Sequence, residues 1–232
     1  MPVKYEHRTE YINGLRQEIN ILEIDLKNPK VKVRPVLSHD LIYGFEYLSK
    51  IVERSGASAA VNAGFFDVYG IPAGMTVLNG KVLTLSKGKY PSLCISNGKA
   101  SFRNISSSLW IIHNGERIKV DKLNMPLEKN QAGVYTKEYG KSSRAELENL
   151  TITVRGGIIQ SVGILQGEAG IPEDGMLVVF TGDELIRKFA GGYSFKAGEK
   201  IELVHEPEIP PDADIYECGN FIVKDGEIVV KR

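Results

Sequence analysis

The sequence predicts an α+β fold, in which mainly antiparallel β-sheet made of many hairpins packs around one principal helix at about residues 43–55. Short apolar segments recur along the whole chain, and Asn-Gly pairs separate several of them. Asn-Gly favours the tight turn of a two-residue hairpin, because both residues tolerate positive φ angles. One clear helix among many hairpins favours this fold class over the regular alternation of a parallel sheet.

The strands are predicted mostly as hairpins. The first hairpin is expected from strands at 18–26 and 31–37, which flank a turn at 27–30. Asn79-Gly80, Asn97-Gly98 and Asn114-Gly115 predict three more. Further strands are expected at 57–61, 132–136, 150–154, 158–163, 176–180, 200–205, 220–223 and 227–231. Since no repeat and no change of composition divides the chain, residues 1–232 are interpreted as a single domain.

Two helices stand out from the strand pattern. Phe45, Leu48, Ile51 and Val52 recur at helical spacing and predict the principal helix. Gly56 is expected to end it, because glycine readily adopts the left-handed conformation that closes many helices. A shorter helix is predicted at about 183–190, where apolar residues have the same spacing before a Gly-Gly pair.

The charge balance and the distribution of apolar residues argue against several classes of protein. The chain has 29 basic and 29 acidic residues, without the basic excess of a nucleic-acid-binding protein. No apolar stretch approaches the roughly 18 residues of a membrane span. The first eleven residues are polar and lack the apolar segment of a signal peptide.

The histidines and cysteines predict neither a metal site nor a cofactor. The four histidines are scattered, without the spacing of a metal-binding pair. Cys94 and Cys218 lie far apart in the sequence, and two reduced thiols are favoured while a disulfide stays open.

The segment from Asn62 to Asp67 is the best candidate for a binding site. The small apolar residues at 57–61 predict a buried strand that leads into it. Asn62 both donates and accepts hydrogen bonds, as sugar hydroxyls require, and Gly64 lets a ligand approach the backbone. Phe65 and Phe66 would offer an apolar platform, while Asp67 would accept a hydrogen bond or a proton. The alternative is structural: both phenylalanines are core, and the polar residues shape a turn.

A resemblance to a known family adds to this interpretation. Asn62-Ala63-Gly64-Phe65-Phe66 resembles the Asn-Gly-Gly-Phe-Phe signature of the phosphodiester glycosidase family, which includes the enzyme that uncovers mannose 6-phosphate on lysosomal proteins. Other segments resemble family elements in the same order: the helix end at 54–60, the small-residue loop at 70–75, the hairpin at 78–83, the strand at 133–136, the Ile-Pro turn at 171–176 and the glycine element at 218–226.

The resemblance implies hydrolysis of a sugar–phosphate diester outside the cytoplasm, with a carbohydrate or sugar phosphate as ligand. It assigns the catalytic role to Asp67. The residues that it implies for substrate binding are Asn62, Gly64, Phe65, Phe66, Gly74, Gly219 and Asn220.

The sequence also departs from the family pattern. Ala63 replaces a glycine, and Cys218 and Asn220 alter the second glycine element. The family's Pro-Arg-Thr and Asp-Gly-Gly-Gly-Ser motifs, which the resemblance expects to supply a guanidinium and a second carboxylate, do not occur. Hydrolysis is therefore expected only if another chain or segment completes the site, for instance in a homo-oligomer. The alternatives are a non-catalytic carbohydrate or cell-envelope binding module, or part of a larger enzyme.

The arginines offer no clear replacement for the missing guanidinium at this level. Arg34, Arg54 and Arg144 are each interpreted as solvated surface charges.

Overall fold

Strands dominate the computed structural model, which describes residues 2–192 and 195–230. Its strands are, in chain order, β1 Val3–Ile12, β2 Leu15–Ile24, β3 Thr76–Leu78, β4 Lys81–Thr84, β5 Lys87–Ser96, β6 Lys99–Ser106, β7 Ser108–His113, β8 Glu116–Val120, β9 Lys122–Leu123, β10 Ala132–Thr136, β11 Glu148–Arg155, β12 Ile158–Gln166, β13 Gly175–Thr181, β14 Glu202–Glu206, β15 Asp214–Glu217, β16 Val223–Lys224 and β17 Glu227–Ile228. The α-helices described are α1 Leu48–Ser55 and α2 Asp183–Arg187. A π-helical turn, Lys188–Gly192, continues α2, and 3-10 turns cover Ser38–Asp40 and Lys137–Tyr139.

The strands form two five-stranded sheets and three smaller ones. The larger sheets have the orders β12–β11–β13–β10–β9 and β4–β3–β15–β5–β6, and a three-stranded sheet has the order β14–β7–β8. Two separate hairpins, β1–β2 and β16–β17, complete the set in the described residues. Every pairing is antiparallel except that of β10 with β9. The predicted α+β class with mainly antiparallel sheet is therefore confirmed.

The three predicted Asn-Gly turns join β3 to β4, β5 to β6 and β7 to β8. Asn79, Asn97 and Asn114 all have φ near +50°, as a type I′ turn requires at its first position. The strand predicted at 132–136 coincides with β10, and those at 150–154, 158–163 and 176–180 lie within β11, β12 and β13. The strand predicted at 227–231 is shorter, because β17 ends at Ile228; its last predicted residue lies outside the described part of the chain.

The first predicted hairpin is wrong. β2 pairs with β1 across a turn at Asn13-Gly14, and the segment 31–37 forms no strand. Because most side chains of β1 are exposed, its sequence carries no apolar alternation that would reveal it.

The principal helix is shorter than predicted and does not form the centre of the fold. It begins at Leu48, and Gly56 caps it with φ 63°, as expected. None of its residues is buried, so the sheets do not pack around it. The predicted buried strand at 57–61 is also wrong, since those residues form no strand and most of them are exposed.

The buried apolar side chains form three clusters, to which residues of several sheets contribute. The largest cluster joins β11, β13 and β10 to the sheet β14–β7–β8, and includes Ile111, Ile152 and Phe180. The second helical segment contributes Ile186 and Phe189 to this cluster. No helix in the described residues is long and apolar enough to cross a membrane.

Candidate functional site

The loop that follows α1 folds back on itself between Phe65 and Ala73. Ala73 N–H donates to Phe65 O (2.9 Å), and Phe66 forms an isolated bridge with Pro72. Inside this loop Asp67 N–H donates to Ile71 O (3.0 Å). These hydrogen bonds fix the backbone of residues 65–73 as a closed loop. The residues just before this loop, 58–64, are exposed.

Asp67 shapes this loop. Its Oδ1 accepts hydrogen bonds from the backbone N–H groups of Tyr69 (2.8 Å) and Ile71 (3.0 Å). This is the local carboxylate–backbone turn that the structural alternative predicted. Oδ2 makes no hydrogen bond within residues 2–192 and 195–230, so one oxygen of the carboxylate stays available.

The aromatic pair is exposed, which excludes the interpretation that both phenylalanines are core. Phe65 is 72% exposed and Phe66 62%. Phe66 meets Phe45 edge to face, with ring centroids 5.6 Å apart. Asn62, at the start of the loop, is also exposed, and its side chain makes no hydrogen bond to any described residue. The loop therefore presents aromatic rings and a free amide to solvent.

The end of β15 and the start of the glycine element at 218–226 pack against the loop. Tyr216 Oη donates to Ala63 O (2.9 Å). Gly64 has φ 61°, and a Cβ at this position would overlap the Tyr216 ring, so glycine is required there. A Cβ on Gly219 would lie 3.4 Å from the Phe65 ring. Asn220 is exposed and makes no side-chain hydrogen bond among the described residues.

Glu217 is a site residue that the sequence did not reveal. Its side chain packs against Gly74, where a Cβ would approach within 2.6 Å, and its Oε2 accepts a hydrogen bond from Met75 N–H (3.0 Å). The strand β15 that carries it was not predicted from the sequence, and only its position next to the glycine element at 218–226 pointed to it. The loop thus has a second carboxylate beside it.

Arg144, interpreted from the sequence as a solvated surface charge, is held in place by aromatic rings. It is exposed, as predicted, but its guanidinium lies over the Tyr43 ring at 3.9 Å and over the Tyr139 ring at 4.9 Å. Its Nη1 donates to Tyr139 O (2.9 Å). A Cβ on Gly140 would lie 2.8 Å from Nη2, so this glycine makes room for the guanidinium. No single sequence motif could have shown this arrangement.

A stack of rings connects Arg144 with the loop. Tyr43 stacks on Tyr69, with ring centroids 5.4 Å apart. Burial raises the pKa of Tyr139 to about 12, an effect that the Arg144 guanidinium opposes and the Asp67 carboxylate reinforces. Asp67 and Arg144 therefore both lie near Tyr139.

The arginines differ in their partners. Arg54 donates to Asp40 (2.6 Å) and Glu46 (2.9 Å), so its charge is neutralised. Arg144 forms no ion pair with any described carboxylate. A guanidinium that is fixed by aromatic rings and lacks a carboxylate is available to an anion.

Within residues 2–192 and 195–230, no group of three or more histidine, cysteine, aspartate or glutamate side chains is arranged to hold a metal ion. Cys94 and Cys218 are free thiols, and burial raises the pKa of Cys94.

The chain is similar to solved structures in its fold. Neither a protein-family model nor a curated protein matches the sequence. A hypothetical protein from Synechocystis superimposes with a TM-score of 0.79 at 20% identity, covering 99% of this chain and 44% of that one. A protein from Burkholderia pseudomallei K96243, named only as a candidate exported protein, gives a TM-score of 0.71 at 19% identity, covering 88% of this chain and 50% of that one. At these identities the likeness shows a shared fold, and this chain spans half the length of those proteins or less.

Proposed function

We propose that the loop 62–74 and Arg144 form a surface that recognises a sugar phosphate, in a protein similar to phosphodiester glycosidases. The observation that carries this proposal is the Arg144 guanidinium, which lies over Tyr43 without a carboxylate partner among the described residues. It is connected through Tyr69 to a loop that exposes Phe65 and Phe66.

The chemistry of a sugar phosphate matches these groups. The C–H face of a sugar ring packs on exposed aromatic side chains, and its hydroxyls exchange hydrogen bonds with an amide such as Asn62. A phosphate oxygen accepts charge-assisted hydrogen bonds from a guanidinium, which are shorter and stronger than neutral ones. Arg144 would thus take the part of the guanidinium whose family motif does not occur in this sequence.

Hydrolysis is the second candidate function, and the position of Glu217 favours it. Glycoside hydrolysis ordinarily uses two carboxyl groups that flank the scissile bond. Asp67 and Glu217 both contact the loop, and each binds backbone N–H groups with one oxygen only. Hydrolysis by this chain also depends on groups from another chain or segment, which a homo-oligomer would provide. Without them the protein would act as a binding module.

We also propose that the protein acts outside the cytoplasm. One protein of similar fold is named as a candidate for export. Together with the family resemblance, this supports a role outside the cytoplasm.

Binding is tested with N-acetylglucosamine 1-phosphate and unmodified N-acetylglucosamine, titrated calorimetrically into the purified chain. We expect the phosphorylated sugar to bind at least tenfold more tightly, which corresponds to about 1.4 kcal/mol. Arg144→Gln should remove this preference, whereas Asn62→Ala should weaken both ligands. Arg34→Gln is the matched control and should change neither. Binding of neither sugar by the folded wild-type chain would contradict the proposal.

A further inference from the structure

Strand β12 forms a free edge of the sheet β12–β11–β13–β10–β9. The beginning of this edge is covered, because Ile159 N–H donates to Glu199 O (3.0 Å) and Gly198 N–H donates to Ile159 O (2.9 Å). Along residues 160–166, no other described segment forms a backbone hydrogen bond to this edge. This part of the strand therefore presents unpaired N–H and C=O groups, which are a template for another strand.

The composition of β12 is unusual for an edge strand. It contains no charged residue, whereas the other described edge strands of the five-stranded and three-stranded sheets, β4, β6, β8, β9 and β14, each contain lysine, arginine or glutamate. Charges on an edge strand prevent pairing between molecules. Val162 is 36% exposed and Ile164 52%, although they lie opposite the buried residues Ile152 and Leu150. The apolar face of the sheet thus continues to an uncovered edge.

We propose that β12 pairs with the β12 strand of a second copy of this chain, antiparallel and centred on Gly163. Ile159 lies opposite Val154 and turns its N–H and C=O groups away from β11. A bulge at Gln160 interrupts the ladder on the β12 side, but β11 alternates regularly from Val154 to Ile152 and Leu150. Their partners Val162 and Ile164 therefore also turn their backbone groups outward. A two-fold axis at Gly163 then places Val162 of one copy opposite Ile164 of the other, and each pair exchanges two backbone hydrogen bonds.

The side chains suit this register. The two Gly163 residues meet in the closer, non-hydrogen-bonded position of the ladder, where the absence of side chains avoids a clash. Val162 and Ile164 form apolar cross-strand pairs on one face, which stabilise antiparallel pairing. The pairing joins the sheet β12–β11–β13–β10–β9 of one copy to the same sheet of the other copy, so that the two form one continuous sheet. It also covers apolar surface that is exposed in the single chain.

Charges at the two ends of the edge are complementary. Lys200 is bridged to Ile158 at one end, and Glu168 follows β12 at the other; both are exposed. An antiparallel arrangement brings Glu168 of each copy towards Lys200 of the other, so the favourable contact occurs twice. This self-complementarity selects a second copy of the chain as the occupant of the edge.

The proposal is tested by molar mass, measured by light scattering during gel filtration. We expect the wild-type chain to elute at twice its monomer mass of 25.6 kDa. Ile164→Lys should elute as a monomer, because lysine at the edge prevents pairing. Ile12→Lys is the matched control, since Ile12 is 51% exposed and also lies in a strand; it should remain a dimer. A monomeric wild-type chain, or a dimeric Ile164→Lys variant, would overturn the proposal.

The register is tested by charge reversal. Lys200→Glu should raise the dissociation constant of the dimer, because it places two glutamates side by side. Glu168→Lys in the same chain should restore the wild-type dissociation constant. Failure of the double variant to recover would show that the copies do not pair about Gly163. Both measurements are made without a sugar ligand, so their outcome is independent of the proposed binding function.

Discussion

Asp67 and Glu217 each have one carboxylate oxygen that holds the backbone and a second oxygen that is available for chemistry. Oδ1 of Asp67 holds the N–H groups of Tyr69 and Ile71, and Oε2 of Glu217 holds that of Met75. In each carboxylate the other oxygen has no hydrogen bond within the described residues. A structural role and a chemical role are therefore compatible, and a variant that removes the whole side chain cannot separate them.

Amide variants separate the two roles. Asp67→Asn and Glu217→Gln keep an oxygen that accepts the backbone hydrogen bonds, but neither can transfer a proton as a carboxylate does. If the chain hydrolyses an aryl phosphodiester of N-acetylglucosamine 1-phosphate, we expect each variant to lower the rate by about 10²–10⁴-fold. Their sugar affinity and melting temperature should stay close to those of the wild-type chain.

Activity that survives in both amide variants would assign hydrolysis to other residues. Wild-type binding without turnover would support a binding module instead.

At the scale of the element, α1 has no fully buried residue, and ion pairs of Arg54 link it to the preceding segment. Arg54 near its C-terminus donates to Asp40, to Glu46 and to Leu37 O, all of which precede the helix. The hydrogen bonds from Arg54, followed by that from the backbone N–H of His39, lower the pKa of Glu46 from 4.5 to about 2. This network attaches the helix, and hence the start of the loop, to the preceding segment.

Acid is therefore expected to weaken this attachment. Because the folded pKa of Glu46 is depressed, its contribution to stability is complete above about pH 4.5 and is lost as the pH falls towards 2. Glu46→Gln should reduce the dependence of the melting temperature on pH in this window. Glu53→Gln, on the same helix and paired with Lys50, is the matched control. An identical pH profile for Glu46→Gln and the wild-type chain would contradict this prediction.

At the scale of the whole molecule, stability and recognition are expected to depend on different aromatic residues. Phe180 is fully buried in β13 and stacks on Phe189, with ring centroids 4.3 Å apart. Phe65 is exposed on the loop, and its ring lies beside Gly219.

Truncation of each ring should separate these properties. Phe180→Ala is expected to lower the free energy of unfolding by about 3–5 kcal/mol, because it leaves a cavity in the largest core cluster. Phe65→Ala should change it by about 0.5 kcal/mol or less, while it weakens sugar binding. Urea unfolding measures the first effect and calorimetric titration the second. A large loss of stability in Phe65→Ala would show that this ring supports the fold.

Several features of the fold could be predicted from the sequence because they depend on local backbone chemistry. The turns at Asn79, Asn97 and Asn114 and the cap at Gly56 require positive φ angles, which asparagine and glycine adopt most readily. The buried strand β10 was predicted to the residue, because its apolar run is bounded by polar neighbours. The sequence also indicated that the chain turns between Asn62 and Asp67, where Gly64 has a positive φ angle.

The tertiary structure alone decided how distant segments meet. It paired β1 with β2, exposed the segment 57–61, and placed Glu217 against Gly74 and Arg144 over Tyr43. These contacts join residues far apart in the chain, and no periodicity within one segment encodes which other segment will cover it. Local turn chemistry therefore determined the hairpins, whereas long-range packing determined which polar groups surround the loop.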